Sequence, residues 1–347
     1  MIGSIPSPTF NTIELGPLSL NIYGLMIALG VVAAVWLFGR RLEEREIGTR
    51  DDASAIAVWA VLAGVIGARL YHVVTDYDRF ENDWGKIPAI WEGGLGIPGG
   101  LLLGIPVGLY VTHKRGIPMA AAATAAAPAI PLAQAIGRWG NYFNQELYGG
   151  PTDLLWALEI DEAHLEAGYA VGTTFHPTFL YESLWSLALV FVLLWIDRRF
   201  RPAPGQLMVM YLMGYGAGRF WVEGLRIDPA DEIAGLRVNQ WVALAAVIGG
   251  AIVLAYMRRH PIPEPVISHE QAEVELDLSD VPPDSDADAD PVPDPDPDTA
   301  PDQDADTAPD QDADTAPDQD PGSGLDPDDE PVADPGTGAG SDTQSEA

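Results

Sequence analysis

About seven apolar runs fill the first 260 residues, each close to the ~20 residues that an α-helix needs to cross a bilayer. They lie at roughly Pro17–Gly39, Ala53–Val74, Leu95–Thr112, Ile117–Ile136, Thr178–Ile196, Gln206–Glu223 and Val242–Met257. Such a series admits a helical membrane protein or a soluble protein with buried core helices, and the turns between the runs decide. Arg40, Arg41, Arg45, Arg50, Lys114, Arg115, Arg198, Arg199, Arg201, Arg258 and Arg259 fall on alternate turns. The opposite turns hold Arg79, Lys86, Arg226 and Arg237, with Arg138 at the membrane edge. Basic residues mark the cytoplasmic side. The expectation is an all-α polytopic membrane protein with seven transmembrane helices, N-terminus outside and C-terminus cytoplasmic. The first fifteen residues lack a basic n-region, so no cleavable signal peptide is expected.

Net charge, −33, would suggest an acidic soluble protein were it spread evenly. It is not. From Pro261 to Ala347 there are 28 Asp and Glu and no Lys or Arg, leaving 23 acids against 18 bases in the membrane part. The chain therefore divides into a membrane domain, 1–260, and an acidic Pro/Asp/Ala-rich tail, 261–347, expected to be disordered and cytoplasmic. The tail repeats Asp-Gln-Asp-Ala-Asp-Thr-Ala-Pro at 302–309 and 310–317, without the glycines that calcium-binding repeats need.

Polar residues at membrane depth are costly, about 2.5–3.5 kcal/mol for a central arginine on insertion scales, and they usually mark function. Residues 137–150 concentrate them: Arg138, Asn141, Asn144, Gln145 and Glu146 directly follow an uncharged run, Ile117–Ile136. Gly137, Gly140, Gly149 and Gly150 suggest a backbone that bends and re-enters here. Trp139 and Tyr142 suit an interfacial aromatic belt, which has no need of Arg138, Asn141 or Glu146. Tyr215, Arg219, Glu223 and Arg226 share one helical face of the sixth run. Arg219 and Glu223 could form a structural pair, but two arginines with one glutamate leave a positive charge for an anionic ligand. Arg69, His72 and Asp76 repeat the theme on the second run. Tyr23 reads equally as core packing or as a hydroxyl donor. His176, at the start of the fifth run, is a candidate proton carrier or a helix cap. Arg237 reads as an outer-loop cation of little consequence.

No HExxH, no phosphate loop and no GxSxG occur, so metal and cofactor are both expected to be none. The absence of cysteine removes any thiolate nucleophile of the chain's own and any cysteine-based zinc site. A reaction that uses a thiol must take it from the substrate.

Arg138-Trp-Gly-Asn-Tyr-Phe-Asn-Gln-Glu-Leu-Tyr-Gly closely resembles the signature of the bacterial prolipoprotein diacylglyceryl transferases. The resemblance runs in order through Asn21-Ile-Tyr-Gly-Leu-Met26, Gly67-Ala-Arg-Leu-Tyr71, Trp91-Glu-Gly-Gly-Leu-Gly-Ile-Pro-Gly-Gly100, His176-Pro-Thr-Phe-Leu-Tyr-Glu182 and Gly214-Tyr-Gly-Ala-Gly-Arg219, covering roughly residues 15–260. It implies transfer of the diacylglyceryl group of phosphatidylglycerol to the lipobox cysteine of a prolipoprotein, in the bacterial cytoplasmic membrane, at a site opening outward. Nucleic acid has no part in it. Arg138 and Arg219 match the two phosphate arginines. Asn141 would orient the head group, Glu146 and Glu223 would hold the arginines, and Tyr23 and Tyr215 would supply hydroxyls. Arg69 and Arg226, on the same polar faces, complete the expected substrate-binding set.

One departure stands out. Many members carry a histidine, a natural base, where this chain has Pro98. A positive pocket can itself favour the thiolate of a cysteine whose ordinary pKa is about 8.5, with His176 as the residual base. The competing reading is a transporter for an anionic solute that uses the same arginines, although no repeat links spans 1–3 to spans 5–7.

Overall fold

A computed structural model of the chain describes residues 4–16, 18–81, 83–90 and 93–263. The expected disordered tail, its repeats included, lies outside the described residues apart from 261–263. Eight helices carry the described residues: α1 (Ile22–Glu44), α2 (Arg50–Thr75), α3 (Ile97–Lys114), α4 (Met119–Ala126), α5 (Ala129–Phe143), α6 (Thr178–Phe200), α7 (Gln206–Glu223) and α8 (Val238–Arg259). Short antiparallel pairs accompany them: β1 (Thr12–Leu15) with β2 (Leu18–Asn21) ahead of α1, β3 (Leu158–Glu159) with β4 (Thr174–Phe175) between α5 and α6, and β5 (Glu232–Ile233) with β6 (Leu236–Arg237) between α7 and α8.

Five stretches are long and apolar enough to cross a membrane: α1, α2, Met119–Phe143, α6 and α8. Their large apolar side chains face outward, with Val32, Ile66, Val192 and Ile252 each about half exposed or more. A water-soluble fold would bury such a surface, whereas lipid accepts it. The protein is thus a helical, polytopic membrane protein. Helices α3 and α7 occupy the other two expected runs.

The expected first run begins too early. Thr12–Asn21 forms a hairpin, and the helix starts only at Ile22, where the Asn21 side chain accepts from the Tyr23 amide at 2.8 Å. That cap fixes Tyr23 in the first turn of α1. Met119–Phe143 is broken at Ala127–Pro128, where Pro128 and Pro131 remove two backbone donors. Helices α2 and α3 pack backbone to backbone: a Cβ on Gly67 would collide with the Gly99 carbonyl, and one on Gly99 with the Gly67 carbonyl.

The re-entrant backbone expected at Gly137 and Gly140 is not found. Helix α5 continues through both glycines to Phe143, because Gly140 is needed for packing. A Cβ there would lie 2.6 Å from the Tyr23 ring. The chain bends only afterwards, with Gln145 and Leu147 at φ of 51° and 59°. Gly149 then pairs with Arg226 and Pro151 with Phe175, tying the signature to the start of α6 and the end of α7.

Candidate active site

The C-terminal end of α5, the first turns of α6 and the last turns of α7 meet in one ion-pair network. Arg138, one and a half turns from the end of α5, donates through Nε to Glu182 at 2.9 Å. Arg219 donates to the other oxygen of the same carboxylate, also at 2.9 Å. A single carboxylate thus bridges the two arginines of the signature and the sixth run. Arg219 also reaches Glu223 at 2.8 Å, one turn along α7. Glu223 is fully buried and is approached in addition by Arg237 at 3.1 Å and Arg226 at 3.5 Å. Asn239 adds a hydrogen bond to it at 3.2 Å. Beyond Glu223, Asp228 takes two bonds from Arg226 and one from Arg237.

The charges decide what such a cluster can hold. Arg138, Arg219, Arg226 and Arg237 face Glu182, Glu223 and Asp228, so one positive charge is left over within the network. That count covers a larger set than two arginines and one glutamate, and Glu146, reached from Arg138 through Asn141, adds a further carboxylate beside it. Burying an unmatched charge in a poor dielectric is costly unless an anion arrives. At Asp228 burial opposes the charged form, but the hydrogen bonds and charges of Arg226 and Arg237 outweigh it and hold the carboxyl below the usual carboxylate range.

Arg138 and Arg219 line a narrow cleft with Glu182, Trp185, Ser186 and Tyr215. On the other side of Arg138, Asn141 accepts from it at 3.3 Å and donates to Glu146 at 2.7 Å. Glu146 was expected to hold an arginine. It holds Asn141 instead, which leaves Asn141's oxygen toward Arg138. Tyr23 stands beside Asn141, within the fields of Glu146, Arg138 and Glu182. The structure therefore gathers Tyr23, Arg138, Asn141, Glu146, Tyr215, Arg219, Glu223 and Arg226.

It does not gather Arg69 or His176 with them. Every donor nitrogen of Arg69 is taken by loop carbonyls: Nε by Ile87 at 2.7 Å, Nη2 by Lys86 at 2.6 Å, and Nη1 by Gly93 and Gly94. Its guanidinium also lies over the Phe80 ring. Arg69 clamps the α2–α3 connection through these bonds. His176 pairs its backbone with Gly149 and Gly150, and its Nδ1 lies 3.1 Å from the Tyr181 hydroxyl.

Three residues of the network escaped the sequence reading. Glu182 was quoted as part of a motif, yet a lone carboxylate one turn into an apolar run was itself the signal. Arg237 is not a spectator: it is 7 % exposed and bound to Glu223 and Asp228. Asp228 gave no signal, being one acid in an ordinary loop.

A helical bundle with lipid-compatible apolar faces and a buried, arginine-rich ion network defines the class: an integral membrane protein. The sequence profile described as prolipoprotein diacylglyceryl transferase matches residues 11–256, and the chain belongs to that family. It is 49% identical over 247 residues to the phosphatidylglycerol–prolipoprotein diacylglyceryl transferase of Streptomyces griseus, covering 70% of this chain and 74% of that protein. The similarly named transferase 1 of Streptomyces coelicolor is 47% identical over 268 residues, covering 76% and 77%. That of Cutibacterium acnes is 47% identical over 260 residues, covering 74% and 87%.

Proposed function

We propose that this chain transfers the diacylglyceryl group of phosphatidylglycerol to the lipobox cysteine of prolipoproteins. The cysteine sulfur forms a bond to the glyceryl carbon as that carbon's bond to the phosphate oxygen breaks. The products are a thioether and glycerol phosphate, and the thiol proton is released. The observation that carries the reading is the Glu182 carboxylate held between Arg138 and Arg219 at 2.9 Å on each side. A phosphodiester presents the same pair of anionic oxygens, and a guanidinium fork binds two oxygens at once.

In this reading Arg138 and Arg219 hold the phosphate and stabilise the charge developing on the departing oxygen. Tyr23, Asn141 and Tyr215 orient the head group, with Glu146 setting Asn141. Glu223 and Arg226 support Arg219 from behind. The positive cleft favours the thiolate directly, and His176 contributes at most a secondary proton acceptor in place of the histidine replaced by Pro98. We further propose seven spans, with α3 and α7 completing the five apolar ones, in the cytoplasmic membrane. The eleven basic residues on alternate turns support a cytoplasmic C-terminus and a site that opens outward.

The test is thioether formation in membranes carrying the protein. A peptide with a lipobox cysteine and added phosphatidylglycerol should yield a diacylglyceryl-modified peptide by mass. The same peptide with serine for cysteine should yield none. Unmodified cysteine peptide, at normal abundance of the protein, would reject the assignment.

A further inference from the structure

Helices α1 and α6 end together at the pole opposite the Arg138 cluster. Glu182 and Asp197 are fifteen residues apart on α6, about 22 Å at 1.5 Å per residue. At that far pole a cavity of about 450 Å3 opens between the end of α1, the end of α6 and the turn that follows it. That size falls within the roughly 300–1,000 Å3 of small-molecule sites. Arg41, Arg45, Arg198 and Arg201 line it against two carboxylates, Glu44 and Asp197.

The carboxylates are already occupied. Asp197 is shared by Arg41 and Arg45, and Glu44 pairs with Arg40. Among the described residues, Arg198 and Arg201 have no ion-pair partner. Arg41 is 4 % exposed and spends Nε and Nη2 on Ala125, Thr124 and Asp197, leaving Nη1 without a hydrogen-bond partner among the described residues. Arg201 closes α6 in the left-handed region, at φ 45°, a position where glycine is the usual residue.

Topology alone does not account for this. Arginines that only mark the cytoplasmic side extend their heads into water. Arg41 does the reverse, turning inward with a spare donor beside an open cavity. We propose that this pocket is a second anion site, which binds a phosphate group independently of the transfer reaction. Guanidinium forks from the two helices match phosphate oxygens, whether of an anionic lipid head group or of free phosphate, and their charge must outweigh the two helix C-termini that end there.

The full chain, placed in phosphatidylcholine nanodiscs, would be titrated with two probes: inorganic phosphate and short-chain phosphatidic acid. Saturable binding should survive Arg138→Gln and weaken at least about tenfold in the double variant Arg198→Gln/Arg201→Gln. Both residues are exposed, so the fold should tolerate the change. The Arg198→Lys/Arg201→Lys pair, which keeps charge without the fork, should bind with intermediate affinity. Binding of phosphatidic acid alone would assign the site to a lipid head group, and binding of both probes to phosphate as such. Equal affinity in the glutamine pair, or no saturable binding of either probe, would overturn the proposal.

Discussion

Arg69 and Arg219 are both inward-facing arginines on helices, yet their surroundings assign them opposite work. Arg69 spends its three donor nitrogens on four backbone carbonyls of the α2–α3 loop. Those carbonyls cannot leave without unfolding the loop. Among the described residues Arg219 is bound only by the carboxylates of Glu182 and Glu223, and beside it Arg138 shares Glu182. A carboxylate side chain can swing aside for a phosphate, whereas a backbone carbonyl cannot. What makes a buried arginine available to an anion is the replaceability of its partner.

The largest loss should follow removal of an arginine with replaceable partners. Arg219→Ala should lower diacylglyceryl transfer by about 10²-fold or more, the scale of a lost transition-state donor. A transfer assay at matched membrane abundance measures it, and a loss below tenfold would dissolve the contrast. Arg237→Ala, at the back of the same network, should act on stability first. It strips one cation from fully buried Glu223 and from Asp228, but Arg219, Arg226 and Asn239 remain on Glu223, so the cost should fall below the ~3–5 kcal/mol of an uncompensated buried charge. Thermal unfolding in detergent should show a clear drop in Tm, and an unchanged Tm would contradict the network's role.

Glu182→Gln sharpens the comparison. If Glu182 is a positioning residue that yields to phosphate, its loss should lower kcat by about tenfold without raising KM for phosphatidylglycerol. A raised KM with normal kcat would instead make it part of uniform substrate binding. The smallest effect concerns Asp228. Its carboxyl is held below the ordinary range, so its contribution to stability is present above the unfolded pKa of about 3.9 and is lost as pH falls through the folded value. The Tm difference between the protein and Asp228→Asn should therefore be present at neutral pH and shrink below about pH 4. A difference that does not vary with pH would remove the charge from the explanation.

These contrasts also mark what the sequence could convey. The apolar runs and the basic turns identify a membrane protein, since lipid thickness and charge cost act on local sequence. Arg138, Asn141 and Arg219 stand out in the sequence for the same reason: polar groups at membrane depth need a purpose. The clamp made by Arg69 was not legible, because helical spacing places a side chain on a face but says nothing of its partners. Backbone carbonyls leave no trace in residue identity. Glu146, Arg237 and Asp228 depend on which loops fold over the end of α7, a non-local matter. The β1–β2 hairpin was hidden because its second strand, Leu18–Asn21, merges with the apolar run of α1.

The central claim is that the forked arginines of the α5–α7 cluster grip the phosphate while the α2 arginine only holds a loop. It is tested most directly by comparing Arg138→Lys with Arg69→Lys. Initial rates of diacylglyceryl transfer to a lipobox peptide would be measured at matched abundance in membranes. Lysine keeps the charge in both variants but lacks the planar fork. The account predicts a loss of about 10²-fold or more for Arg138→Lys and less than about tenfold for Arg69→Lys, per molecule of inserted protein. Near-normal transfer by Arg138→Lys, or the larger loss at Arg69, would contradict it.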